Sequence, residues 1–406
     1  MRKPRFFYGY IVVVFAFGIE VTGWGLYFTY GMFFNPLLDE FGWTRATVAG
    51  ARSIAAIIIG FFGIIAGRMT DRFGPRIVMI GCSLFLGLAG FLLSRVDSVW
   101  QLYLFFGVIV AIGSSTIEVS LLSTVARWFT KRRGAMTGLV KVGTGAGMLI
   151  MPLVASWLIA GYGWRNAYLV MGILASVSVM IAAQFLRRDP SRKGLQPYGA
   201  SESEAIAFSL ADLGYSLREA IRLKQFWILY VLCTLLFFAI DTVLVHIVPH
   251  GVDSGIAQTS MANALALIGG TSMVGRLTMG IAGDRMGNRR AITICFPIMA
   301  ITIFWLQFAG ELWMFYLFAM VYGFAHGGFF ALISPLVAEL FGLRAHGAIL
   351  GVVLFGGAVG GSLGPVVVGR IFDVTGSYQL GFLACALLAA GSFILSLMIR
   401  PTEIRR

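Results

Sequence analysis

Apolar positions in this chain do not thin into amphipathic stripes. They run on for eighteen or more residues at a time. At about 1.5 Å of rise per residue, such runs carry a helix across a hydrocarbon core of roughly 30 Å. Twelve of them can be drawn, at 8–36, 45–67, 76–95, 100–126, 134–160, 167–186, 226–250, 258–281, 290–309, 312–338, 347–370 and 379–399. The stretch at 8–36 is too long for a removable signal and has no small-residue cleavage site after it. The pattern predicts an all-α polytopic membrane protein with twelve transmembrane helices.

The short polar interruptions repeat. GRMTDRFGPR at 67–76 returns as GIAGDRMGNR at 280–289, an offset of 213 residues. At the same offset Pro36 pairs with Pro249 and Gly42 with Gly255. Gly134 and Gly138 pair with Gly347 and Gly351. Gly143, Gly147 and Pro152 pair with Gly356, Gly360 and Pro365, and Gly163 with Gly376. The chain therefore reads as one six-helix unit written twice, in the same membrane orientation. The expected domains are an N-terminal bundle at 1–186, a polar and basic linker at 187–225 with a short surface helix near 211–224, and a C-terminal bundle at 226–406.

Composition agrees with this reading. Only 12% of the 406 residues are charged, and mean hydropathy is +0.87. The net charge of +13 would suit nucleic acid, but its placement does not. With the N-terminus inside, four of the 31 Lys and Arg residues fall outside (Arg45, Arg95, Arg165, Arg370) and three fall within spans (Arg52, Lys141, Arg276). All the others fall inside. This positive-inside asymmetry predicts a cell inner membrane protein with both termini cytoplasmic, its basic charge facing anionic lipid and not nucleic acid. The four cysteines lie in apolar runs without metal spacing, so neither metal nor cofactor is expected.

Two parallel six-helix halves, with Gly-x-x-x-Asp-Arg-x-Gly-x-Arg after the second helix of each, resemble the major facilitator superfamily. The resemblance implies that Gly67, Asp71, Arg72, Gly74, Arg76 and their partners Gly280, Asp284, Arg285, Gly287, Arg289 form a cytoplasmic gate. The glycines suit tight turns, and the aspartates suit a helix N-terminus of the other half. It also implies that helices 1, 4, 7 and 10 line a central cavity, that 2, 5, 8 and 11 flank it, and that 3, 6, 9 and 12 face lipid.

Ionisable residues inside the spans follow that division. Glu20, Arg52, Glu118, Lys141, Asp241, His246, Arg276 and His326 lie in helices 1, 2, 4, 5, 7, 8 and 10, and none lies in 3, 6, 9 or 12 away from their ends. A charge at the bilayer centre costs about 2.5–3.5 kcal/mol on insertion scales, so these groups are expected to face water or one another. Depth matching predicts a structural ion pair between Glu20 and Arg52. Glu118 and Lys141 also match, either as a structural pair or as part of a gate. Arg276 has no acid on its own helix, so it either binds an anion or pairs with Asp241 or Glu118.

The stretch from Ser272 to Gly280 resembles helix 8 of the monocarboxylate transporters, where an arginine holds the substrate carboxylate. HIVPHGVDSGI and YGMFFNPLLDEFGWTRA resemble the bacterial oxalate/formate and monocarboxylate group. Carried over by position, Arg276 is the carboxylate anchor. Ser272 stands where those carriers have an aspartate, their helix-1 lysine is absent, and Leu354 stands where exchangers have a lysine. Lys141 is the repeat equivalent of Leu354 and offers a second cation. The expected function is transport of small monocarboxylates such as lactate or pyruvate with proton symport. Arg276, Ser272, Tyr322, His326 and Lys141 would bind substrate, and Asp241, His326 and Glu118 would carry the proton. The partners are then a small organic anion, a proton and the lipid bilayer, with one chain sufficing as a monomer. The alternatives are an exporter of amphipathic or cationic compounds using Glu20, Glu118 and Asp241, and a transporter-like sensor. No nucleophile–base spacing, metal cluster or phosphate loop points to an enzyme.

Overall fold

The computed structural model describes residues 7–200 and 214–400. The basic residues near each terminus that enter the charge count above, and the start of the expected 211–224 helix, lie outside the described residues. From that helix the structure shows Leu217–Ala220, opened by a reciprocal Ser216–Glu219 capping box.

Ten described helices are long and apolar enough to cross a membrane. One of them, Arg133–Ala183, is 51 residues long and turns at Gly163 (φ 78°, ψ 160°), so it supplies two rods. Asn288–Trp305, 18 residues, adds another. Twelve rods result among the described residues. They are α1 (Gly9–Phe41), α2 (Arg45–Phe73), α3 (Pro75–Leu93), α4 (Val99–Trp128), α5 (133–162) and α6 (164–183). The second set is α7 (Lys224–Asp253), α8 (Gln258–Met286), α9 (Asn288–Trp305), α10 (Leu312–Phe341), α11 (His346–Thr375) and α12 (Gln379–Met398). No strand occurs among the described residues, only two isolated bridges.

The punctuation is local chemistry. The Thr44 side chain accepts the Thr47 N–H and opens α2. α2 ends at Gly74 (φ 85°) and α8 ends at its repeat partner Gly287 (φ 92°). An L-residue with a Cβ is strained in that conformation, which lets each chain reverse within one residue. Pro75 then starts α3 at a position whose N–H has no partner to lose. α1 runs past its predicted end at residue 36 to Phe41, with breaks at Trp24 and Thr29. Part of α4, Tyr103–Val110, is π-helical.

The chain forms two compact units. Unit 1 is Met1–Lys131, Leu139–Leu213 and Leu343–Gly351; unit 2 is Arg132–Gly138, Gly214–Gly342 and Val352–Arg406. Each therefore takes in a short segment of the other repeat, and the two segments are themselves repeat equivalents.

In lipid no hydrophobic force draws helices together, so small residues that permit close approach decide packing. Within unit 1, Gly143 and Gly147 of α5 lie against the carbonyls of Phe17 and Val21 in α1. Within unit 2, Gly356 and Gly360 of α11 lie against Tyr230 and Thr234 of α7. All four positions on each side match at the 213 offset. α3, α6, α9 and α12 turn apolar side chains outward, among them Leu84, Phe91, Ile173, Ile181, Ile301, Phe304, Leu387 and Ile394.

Gly147→Val and Gly360→Val should each lower the thermal unfolding midpoint of the detergent-solubilised protein by several degrees, since overpacking costs about 1–3 kcal/mol. Gly81→Ala, where a Cβ meets nothing within 4 Å, should not lower it. Equal midpoints for all three variants would contradict this packing.

Candidate functional site

Two buried polar clusters occupy membrane depth, one in each unit. In unit 1 Lys141 on α5 reaches Glu118 on α4 at 2.5 Å and Glu20 on α1 at 3.8 Å. Thr144, one helical turn beyond Lys141, donates to Glu20 at 2.6 Å. Glu20 is fully buried and Lys141 nearly so. Gly143 brings this face of α5 onto α1, because a Cβ there would meet the Phe17 carbonyl and stand 3.0 Å from the Glu20 Cβ. The expected Glu20–Arg52 pair is corrected: Arg52 lies over the Tyr27 ring, 5.4 Å from its centroid. Matched depth on neighbouring helices was not enough, because the two side chains leave their helices in different directions. Lys141 is held by both carboxylates here, so it is not presented as a second cation for substrate.

In unit 2 the close contact of α8 with α10 sets the site. A Cβ at Gly327 would collide with the Ser272 carbonyl, and one at Gly323 with Thr271. Without those methyl groups the helices meet, and the Ser272 hydroxyl comes within 3.1 Å of His326 Nδ1. Arg276 follows one turn after Ser272 and is 5% exposed, with its guanidinium 6.0 Å from the Phe330 ring centroid. Tyr322, His326 and Phe330 stand at i, i+4 and i+8 on α10, so they form a single ridge. Tyr322 stacks on His326 and His326 meets Phe330 edge-on. The Tyr322 hydroxyl is fully buried with no hydrogen-bond partner among the described residues. Asp241 of α7 acts electrostatically on Tyr322, and its carboxylate occupies space that a Cβ at Gly361 would fill. The structure thus brings Ser272 and Arg276 of α8 against the Tyr322–His326–Phe330 ridge of α10, with Asp241 of α7 within electrostatic reach of Tyr322. His246 and His250 sit apart, hydrogen-bonded to the carbonyls of Pro365 and Leu306.

The repeated decapeptides build a third feature, twice. Asp71 accepts from Gly347 N at 3.3 Å and Ala348 N at 3.0 Å, in the first turn of α11. Asp284 accepts from Gly134 N at 2.7 Å and Ala135 N at 2.8 Å, in the first turn of α5. A carboxylate there satisfies helix N–H groups that have no partner of their own and meets the positive end of the helix dipole. Gly67 and Gly280 make room, since a Cβ at either would collide with the backbone of the opposite helix. The motif arginines scatter. Arg72 covers Phe73, Arg76 donates to Gln184, Arg289 donates to the Leu397 carbonyl, and Arg285 is exposed.

Three participants escaped the sequence reading. Arg127 at the end of α4 pairs with Asp71 at 3.1 Å and donates to the Leu343 carbonyl. Its repeat equivalent is Leu340, so the duplication gave no signal for it. Thr144 could have been found from its i+3 spacing to Lys141. Gly361 could not, because its role is the room it leaves for Asp241. Among the described residues no group of three or more His, Cys, Asp or Glu could hold a metal ion.

Comparison with known proteins agrees with this architecture. The family model of the Major Facilitator Superfamily matches residues 7–278 and 250–406. Monocarboxylate transporter 13 of Bos taurus is 26% identical over 96% of this chain and 88% of its own length. Monocarboxylate transporter 7 of Homo sapiens is 24% identical over 98% of this chain and 87% of its own. The solved proton:xylose symporter XylE superposes with a TM-score of 0.78 at 14% identity, covering 97% of this chain and 96% of that one. The chain belongs to the Major Facilitator Superfamily: it is a multi-pass membrane transporter, and the proteins it matches are transporters and not enzymes.

Lys141→Met should destabilise the protein by about 3 kcal/mol, because it strands the fully buried Glu20 carboxylate together with the part-buried Glu118. Adding Glu20→Gln and Glu118→Gln should recover most of that loss in a thermal unfolding assay; failure to recover any of it would dissolve the triad as a unit. Asp71→Asn should speed amide hydrogen exchange at Gly347 and Ala348 while leaving Gly134 and Ala135 unchanged, with Asp284→Asn doing the reverse. Identical exchange in wild type and variants would show that the carboxylates do not hold those helix starts.

Proposed function

We propose that this superfamily member carries small monocarboxylates, with lactate and pyruvate as the expected size class, and that a proton accompanies the anion. The observation that carries this reading is Arg276, an arginine buried to 5% exposure one helical turn from the Ser272–His326 hydrogen bond. A planar guanidinium offers a carboxylate two parallel hydrogen bonds, and such charge-assisted bonds are roughly twice as strong as neutral ones. Ser272, His326 and the Tyr322 hydroxyl supply further donors. Phe330 supplies an apolar surface suited to a short carbon chain. Relatives named as monocarboxylate transporters, at 24–26% identity over nearly the whole chain, support the same substrate class.

A buried guanidinium plus a carboxylate is close to neutral, and Asp241 adds a further carboxyl within electrostatic reach of Tyr322. A proton on Asp241 or His326 balances the loaded site, so that the site can cross between its two accessible states with little net charge. The Glu20–Lys141–Glu118 triad is a second place to hold a proton, since two carboxylates share one ammonium there. The paired Asp71 and Asp284 contacts serve as latches on the side that the basic loops place in the cytoplasm. Opening that side then requires giving up four charge-assisted N–H bonds.

Arg276→Ala should reduce lactate counterflow in proteoliposomes by about 100-fold or more, as expected for losing two hydrogen bonds to a charged group. Arg276→Lys should retain a small fraction of it. An inward proton gradient should accelerate wild-type uptake, and His326→Gln or Asp241→Asn should weaken that acceleration. Wild-type counterflow in Arg276→Ala, or transport of lipophilic cations uncompeted by carboxylates, would overturn the assignment.

A further inference from the structure

Away from both clusters, the turn between α2 and α3 and the segment following α6 enclose a cavity of about 250 Å³ in unit 1. Its lining is Phe73, Gly74, Pro75 and Leu186 with four arginines, Arg76, Arg187, Arg188 and Arg192. This concentration of one charge has little to neutralise it. Arg76 donates to the neutral Gln184 side chain, and Arg187 donates to the backbone carbonyls of Gln184 and Leu186. Arg188 meets Asp189 at 3.3 Å, but that carboxylate is shared with Arg127 at 3.5 Å. Arg192, exposed at the cavity rim, pairs with no carboxylate among the described residues.

We propose that this cavity binds the phosphate of an anionic phospholipid. The lining chemistry selects a phosphate, because guanidinium forks match its oxygens and four of them suit an ion of multiple acceptors. The surroundings select a lipid over a soluble phosphate. Phe73 on the last turn of α2, Ile77 on the first turn of α3, Ile181 on the last turn of α6 and Phe185 just beyond it are 38–57% exposed, and they leave an apolar fringe beside the cavity at these helix ends. That fringe belongs to a membrane-spanning protein, so acyl chains lie along it while the headgroup enters the cavity. The site also lies at helix ends, the depth at which lipid phosphates sit. Basic pockets between transmembrane helices at this depth are a recurring way to hold acidic headgroups.

Native mass spectrometry of the purified full chain, titrated with phosphatidylglycerol or phosphatidylcholine of the same acyl composition, tests the assignment. The wild type should retain phosphatidylglycerol at least ten-fold more tightly. Arg192→Gln alone, at an exposed position whose loss should not disturb folding, should weaken that retention roughly five-fold. Arg187→Gln, Arg188→Gln and Arg192→Gln together should abolish the preference, while Arg218→Gln, outside the cavity, should not. Equal retention of the two lipids by wild type, or an undiminished preference in the triple variant, would overturn the proposal. Displacement of phosphatidylglycerol by millimolar glycerol 3-phosphate or inorganic phosphate would also overturn it, in favour of a soluble phosphate ligand.

Discussion

A membrane interior does not tolerate an unaccompanied charge, and this constraint organises the molecule. Every ionisable side chain at depth here has company. Lys141 lies between two carboxylates, Glu20 takes a hydroxyl as well as the ammonium, and Arg52 spreads over an aromatic face. Arg276 lies beside Phe330 with Ser272 and His326 one turn away. Placing these groups where they can meet requires helices closer than ordinary side chains permit. Glycine supplies that closeness, and so the packing of the bundle and the chemistry of its sites share one cause.

The duplication makes the division of labour visible. The contacts that hold helices together repeat at the 213 offset: Gly147 on Val21 and Gly360 on Thr234, Asp71 on the start of α11 and Asp284 on the start of α5. The ionisable residues inside the membrane spans do not repeat. Glu20, Glu118 and Lys141 correspond to Cys233, Ala331 and Leu354, and Asp241, Ser272, Arg276 and His326 correspond to Phe28, Ile59, Gly63 and Gly113. Even Gly63 and Arg276 keep their structural job, since their backbone carbonyls face Gly351 and Gly138 respectively. A scaffold written twice thus carries a different polar cluster in each copy, one dense in opposed charges and one built around an arginine with hydrogen-bonding neighbours.

Much of this is legible in the sequence because apolar run length, glycine spacing and charge placement are one-dimensional signals. They predict the helices, the repeat and the candidate residues. Side-chain direction is not such a signal. Glu20 and Arg52 match in depth, yet Glu20 turns toward α5 and Arg52 toward Tyr27. Gly361 matters through the space it leaves for Asp241, which no pattern of residue types announces. Arg127 reads as one more basic residue at a helix end until the fold sets it against Asp71.

Docking of a substrate carboxylate on Arg276 is the contact on which the proposed transport rests. Solid-state NMR on the protein in lipid, with ¹⁵N-labelled arginine and pyruvate ¹³C-labelled at its carboxylate, measures that contact directly. Docking predicts a carbon–nitrogen dipolar coupling corresponding to about 3.5 Å, as N···O distances of roughly 2.7–2.9 Å in a bidentate pair require, and its disappearance in Arg276→Lys. A bound carboxylate whose coupling to arginine nitrogen survives that substitution, or that shows no such coupling in the wild type, would contradict it.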